Sequence, residues 1–120
     1  MSTVLHICTT CRAGQPVPDG SQCAGANLFD ALSNAAPVPG VTIKPVECLS
    51  ACSNGCSIVL SKKGGWSYVF GNLTPDHVPE ILQGAAAFAQ SSDGVVPWRD
   101  RPEVFRKQCL ARVPPIGADD

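Results

Sequence analysis

Between two strand-like runs the chain places Glu47-Cys48-Leu49-Ser50-Ala51-Cys52-Ser53-Asn54-Gly55-Cys56, three cysteines within nine residues and little bulk between them. Thiolate sulfur is a soft donor suited to zinc and to iron-sulfur clusters. Cys48 and Cys52, four positions apart with small residues between, can turn toward one centre without crowding. The plainer reading is a set of buried cysteines acting as small apolar groups. The flanks argue for the metal: Val41-Thr42-Ile43-Lys44-Pro45-Val46 alternates toward Cys48, and the β-branched Ser57-Ile58-Val59-Leu60 leads away. The cysteines thus stand in a loop at the rim between two strands, the kind of position from which a rigid scaffold presents functional groups.

What surrounds this loop restricts its use. A chain of 120 residues with 44% hydrophobic content has room for one core and one domain. A formal net charge of -1 gives no electrostatic footprint for nucleic acid, and no apolar run approaches the ~20 residues of a bilayer span, so neither partner is expected. The stretch Met1 to Cys8 has neither the basic lead nor the apolar core of a secretory signal, and the expected location is the cytoplasm. In that reducing compartment seven cysteines, an odd number, read as ligands or redox groups rather than as disulfides.

Taken in order, Thr3 to Cys8 reads as a buried strand closed by a cysteine. Two prolines and two glycines keep Thr9 to Cys23 a loop. Leu28, Phe29, Leu32 and Ala36 recur at helical spacing from Ala24 onward, with Ser21 or Gln22 to start the helix and Pro37, Pro39 and Gly40 to stop it. Val41 to Val46 is the next strand. Cys56 to Ser61 and Trp66 to Phe70 form a hairpin around Lys62-Lys63-Gly64-Gly65, which reads as a solvated turn. Thr74 and Pro75 then open a second helix, striped by Val78, Ile81, Leu82, Ala85 and Phe88 and running to about Gln90. Beyond Gly94 the composition turns to charge and proline. A short helix over Pro102 to Ala111 is expected, with Trp98, Val104, Phe105, Leu110 and Val113 docked on an apolar surface, and the arginines facing water or an acidic partner. The order βαβ then ββα is compatible with an α/β fold: a mixed four-stranded sheet, helices packed on it, and a C-terminal extension.

The residues that end and open these elements carry a resemblance. The chain resembles the thioredoxin-like 2Fe-2S ferredoxins, and more narrowly the DUF1636-type family of predicted metal-binding proteins. In those ferredoxins a strand ends on the first ligand, a Gly/Pro-rich loop leads to a Gly-Ser-Cys-type second ligand opening a helix, and a Cys-x-x-x-Cys loop supplies the last two. The matching positions are Cys8, Gly20-Ser21-Gln22-Cys23, and Cys48 with Cys52, and the hairpin from Gly65 and the Thr74-Pro75-Asp76 helix opening continue the match to Phe88. The resemblance implies a thioredoxin-like cluster-binding domain over residues 1–94 with an extension over 95–120. It also implies a 2Fe-2S cluster held by Cys8, Cys23, Cys48 and Cys52, and a one-electron carrier, not an enzyme, that serves a redox partner protein and pairs as a homodimer. It departs at Gln22, inserted before Cys23, and at Cys11 and Cys56, which stand where those ferredoxins have non-ligating residues and which are substitute ligands or neighbours of the cluster.

Two other chemistries stay open at this point. Cys8-Thr9-Thr10-Cys11 with Cys48 and Cys52 makes two ligand pairs for a structural or regulatory zinc. The same Cys8-x-x-Cys11 after a first strand is the pattern of a dithiol oxidoreductase, but that chemistry wants its thiolate at a helix start, and Arg12 to Pro18 does not readily form a helix. His6 and His77, far apart in sequence, read as structural.

Overall fold

The first strand, β1 (Thr3–Cys8), alternates buried Thr3, Leu5 and Ile7 with half-buried Val4 and His6, so one face of the sheet is committed to a core. It belongs to a computed structural model that describes residues 3–11, 21–35, 37–49 and 54–115. Helix α1 (Ala24–Ser33) turns Gly25, Leu28 and Leu32 onto that face and ends at Asn34, whose amide donates to the Asp30 carbonyl. The chain returns through β2 (Val41–Val46), parallel to β1 with Thr3 opposite Val41 and Cys8 opposite Val46. Pro45 can stand in β2 because this strand is the edge of the sheet.

Strands β3 (Ile58–Lys62) and β4 (Ser67–Phe70) pair antiparallel, and β3 lies antiparallel to β1 on the side away from β2. A 3₁₀ turn over Pro75–His77 leads into α2 (Val78–Gln90), whose buried Ile81, Gly84, Ala85 and Phe88 recur at three and four residues. The expected βαβ and ββα units are therefore present. Each fully buried Leu, Ile or Phe in this layer adds roughly 1.5–3 kcal/mol.

The segment after Gly94 differs from the expected helix over Pro102 to Ala111. A 3₁₀ turn over Trp98–Asp100 precedes a short α3 (Glu103–Lys107), and the chain then extends into β5 (Cys109–Val113), antiparallel to β4. The sheet thus has five strands, in the order β2-β1-β3-β4-β5. A helix through Leu110 would set that residue six positions from Val104, about 240° around the axis, so one apolar stripe could not hold both. An edge strand instead satisfies the backbone on β4. Val104 and Phe105 are buried as expected, with the Phe105 ring stacked on Phe70 at 3.9 Å and lying over Gly84, where a Cβ would come within 2.1 Å of it. Trp98, Leu110 and Val113 are exposed.

Lys62, expected in a solvated turn, is the buried last residue of β3. Its ammonium donates to the carbonyls of Ala89 (3.2 Å) and Ser91 at the end of α2 and lies 5.0 Å from the centre of the Phe88 ring. Among the described residues no helix is long and apolar enough to cross a membrane.

Candidate metal centre

Parallel pairing brings the carboxyl ends of β1 and β2 together, the end of an open α/β sheet at which ligands are usually held. Cys8 is the last residue of β1, and Cys48 lies two residues beyond β2. Backbone and side-chain bonds clamp the turn after Cys8 to the start of the cysteine loop. The Thr9 amide and hydroxyl donate to the Val46 carbonyl at 2.9 and 3.2 Å, and the Thr10 hydroxyl donates to the Glu47 carbonyl. The Cys8 thiol is 3.6 Å from that same Glu47 carbonyl, immediately before Cys48.

Cys23 enters from the other side. It is the N-cap of α1, with extended backbone (φ -72, ψ 166), and its Sγ lies 2.9 Å from the carbonyl of Thr9, the neighbour of Cys8. The sulfur thus stands at the start of a ten-residue helix but lies on the Thr9 carbonyl rather than on a first-turn amide. The Gly25 amide donates to the Cys11 carbonyl at 2.8 Å, and a Cβ on Gly25 would stand 2.1 Å from the Cys8 carbonyl oxygen. Only glycine lets the first turn of α1 approach the Cys8–Cys11 segment so closely.

Cys11 and Cys56 form the floor of this region, 4% and 0% exposed. Backbone hydrogen bonds tie Cys56 to Leu73 in both directions, at 3.4 and 3.1 Å. Burial pushes the Cys56 thiol up to about 12, and the charge of and hydrogen bond to Cys11, then Cys23 and Cys8, push the same way. It is held as a neutral thiol.

The Cys8 and Cys23 sulfurs therefore lie along a seam of backbone carbonyls, the exposed Cys48 follows Glu47 at the end of that seam, and Cys52, the remaining expected ligand, lies outside the described residues. Among the described residues no three His, Cys, Asp or Glu side chains surround a single point as a metal site would require. The donor chemistry nonetheless fits an iron-sulfur group, with sulfur donors on a strand end and at a helix start. His77 accepts a 3.0 Å bond from the Thr74 amide, which closes the first turn before α2, and His6 is half-buried in β1. Gly25 and the Thr9-Thr10 clamp were not singled out from sequence. The small residues of Cys23-Ala24-Gly25-Ala26 and two hydroxyls directly after Cys8 are the signals that mark them.

The fold is that of a thioredoxin-like ferredoxin. The chain is similar to the thioredoxin-like [2Fe-2S] ferredoxin from Aquifex aeolicus, at 18% identity and a TM-score of 0.59, over 98% of this chain and 98% of that one. A 1.5 Å crystal structure of the wild-type thioredoxin-like [2Fe-2S] ferredoxin from the same organism gives 17% identity and a TM-score of 0.59, over 92% and 97%. No curated protein matches the sequence. Residues 5–115 match the family model described as "Protein of unknown function (DUF1636)", and the chain belongs to that family.

Proposed function

We propose that the protein is an electron carrier, not an enzyme, and that Cys8, Cys23, Cys48 and Cys52 hold a 2Fe-2S cluster. One observation carries this reading. The Cys23 sulfur rests on the carbonyl next to Cys8, and the Cys8 sulfur on the carbonyl of Glu47, the residue before Cys48, so two sulfurs from distant parts of the chain reach one short seam that leads into the Cys48 loop. The fold shared with the Aquifex aeolicus ferredoxin supports it. When bound, such a cluster accepts and returns one electron at a time.

The chain's own part is steric. Strand β1 fixes Cys8 at its end, and Cys23 is fixed as the N-cap residue of α1. The Thr9 and Thr10 bonds keep the 8–10 turn against residues 46–47, so the two sides of the seam move as one. Buried Cys11 and Cys56 lie beneath and keep water from that side. A redox partner protein supplies and removes the electron.

Anaerobic purification followed by absorption and paramagnetic resonance spectra, with iron, sulfide and zinc counted on one sample, tests the reading. Two irons and two sulfides per chain are expected, on the order of the cluster's own composition. A colourless protein carrying zinc overturns it.

A further inference from the structure

The cations of this chain are unevenly placed. Residues 98–113 contain Arg99, Arg101, Arg106, Lys107 and Arg112, five of the nine cations, against Asp100 and Glu103, two of the ten acids, in a chain of net charge -1. Two of the five serve the fold. Arg101 donates to the Val96 carbonyl (2.8 Å) and the Tyr68 hydroxyl (3.3 Å), and Arg112 lies 4.3 Å from the Trp66 ring centre. Lys107 makes an exposed pair with Glu103 at 3.1 Å, worth little in water. Arg99 and Arg106 are exposed, and among the described residues neither makes an ion pair. Trp98, next to Arg99 in the chain and 61% exposed, lines a groove with Glu103, Arg106 and Lys107.

The α3–β5 junction at one end of this segment adjoins the cysteine loop at Asn54. Antiparallel pairing places Cys109 opposite Phe70, so the junction of α3 and β5 falls at the same end of the sheet as Cys8. The Gln108 carbonyl accepts from the Gly71 amide at 3.0 Å, the Gln108 side chain bonds Asn72 at 2.9 Å, and the Asn72 amide bonds the carbonyl of Asn54 at 2.7 Å. A Cβ on Gly71 would touch both Asn54 O (2.5 Å) and Leu110 Cδ1 (2.7 Å). Leu110, 39% exposed, thus stands beside a residue of the loop that runs from Cys48 to Cys56. Three strand spacings, about 14 Å, separate β1 from β5 along this edge.

Resting on the electron-carrier reading, we propose that Trp98, Arg99, Arg106, Lys107 and Leu110 form the docking face for an acidic redox protein. An exposed tryptophan and leucine on a segment rich in arginine and lysine have the composition of a transient interface, with Trp and Arg as its strongest contacts. The sign of the partner follows from the surplus of positive charge there. Nucleic acid is the weaker fit, because few cations are available to meet its phosphates.

Charge reversal at two places tests the proposal. Arg99→Glu with Arg106→Glu alters the patch. Lys44→Glu with Lys63→Glu makes the same change in net charge at exposed positions on the opposite edge and in the β3–β4 turn. The reduced holoprotein is mixed with ferricyanide, which takes one electron to become ferrocyanide, and separately with hexaamminecobalt(III). At low salt the wild type is expected to favour the anionic oxidant, and the patch variant to lose that preference by roughly tenfold or more while the control keeps it. Equal losses in both variants, or a wild type that prefers the cation, overturn the proposal. Iron and sulfide counts show separately whether the carrier reading itself has failed. In either case, an oligoglutamate peptide is titrated into isotope-labelled wild-type protein. Amide shifts confined to 98–110 and abolished by Trp98→Ala support the docking face. Shifts elsewhere, no shifts, or tighter binding of duplex DNA at the same residues overturn it.

Discussion

Gly25 is the residue on which the approach of α1 to the cysteine seam depends. A methyl group there would meet the Cys8 carbonyl oxygen at 2.1 Å and the Cys11 amide nitrogen at 3.1 Å, both backbone atoms that cannot swing aside. Gly25→Ala is expected to move α1 outward, cost roughly 1–3 kcal/mol of stability, and lower bound iron. A urea midpoint and an iron count equal to wild type would contradict this. The cysteines divide by the same geometry. Cys23→Ala removes a sulfur from the seam and should abolish iron binding. Cys56→Ala removes a buried thiol whose backbone stays bonded to Leu73, and should retain iron at a cost of about 1 kcal/mol. Loss of half the iron in Cys56→Ala, or a normal spectrum in Cys23→Ala, would reverse the assignment. The placement of Cys8, Cys23 and Cys48 at element boundaries was legible because local sequence marks those boundaries. The pairing of Cys11 with Cys56 and the crowding at Gly25 were not, since both arise from segments brought together only by the finished sheet and helix.

At the scale of elements, the hairpin and the tail show where local reading stops. Lys62-Lys63-Gly64-Gly65 has turn composition, yet β3 runs one residue further and delivers Lys62 to the carboxyl end of α2, whose last carbonyls need donors. Nothing within the hairpin's own sequence announces that helix end. Likewise Glu103 to Val113 contains helix formers throughout, but the free edge of β4 takes Cys109–Val113 as a strand. Lys62 gives a titration prediction. Burial lowers its pKa below the usual 10.5, with Asp93 opposing in part, so the folded state holds the proton less tightly than the unfolded chain. Between the folded value and 10.5 the unfolded state binds more protons, and stability attributable to Lys62 should rise as pH climbs through that window. Lys62→Met should lack the rise and, with the Ala89 and Ser91 carbonyls left unpaired, be less stable by roughly 1–3 kcal/mol near neutrality. The difference in denaturant unfolding free energy between the two proteins, followed from neutral to alkaline pH, checks both statements. A difference that stays flat would reject the titration.

For the molecule as a whole, the question is what residues 95–120 contribute to a fold whose expected ligands all lie before Gly94. Val96, Val104 and Phe105 are buried in the same core as Leu60, Phe70 and Phe88, and α3 lies against α2 through Phe105 and Gly84. The Val104 amide donates to the Glu80 carboxylate at 3.0 Å, and the Arg101 guanidinium caps the Tyr68 ring at 5.2 Å. Removing this segment would uncover Tyr68 and Phe70 and free the outer edge of β4, an opening for pairing with other chains. A chain ending at Gly94 is therefore expected to melt at markedly lower temperature, self-associate, and hold iron less firmly through the lost Gly71–Gln108 and Leu110 contacts beside Asn54. Phe105→Ala separates packing from the loss of the strand. It leaves β5 able to pair and should cost about 3–5 kcal/mol, the usual range for deleting a buried phenyl ring. If the shortened chain keeps its melting temperature, solution mass and iron content, and Phe105→Ala unfolds at the wild-type urea midpoint, then residues 95–120 are an appendage to a unit that is complete at Gly94.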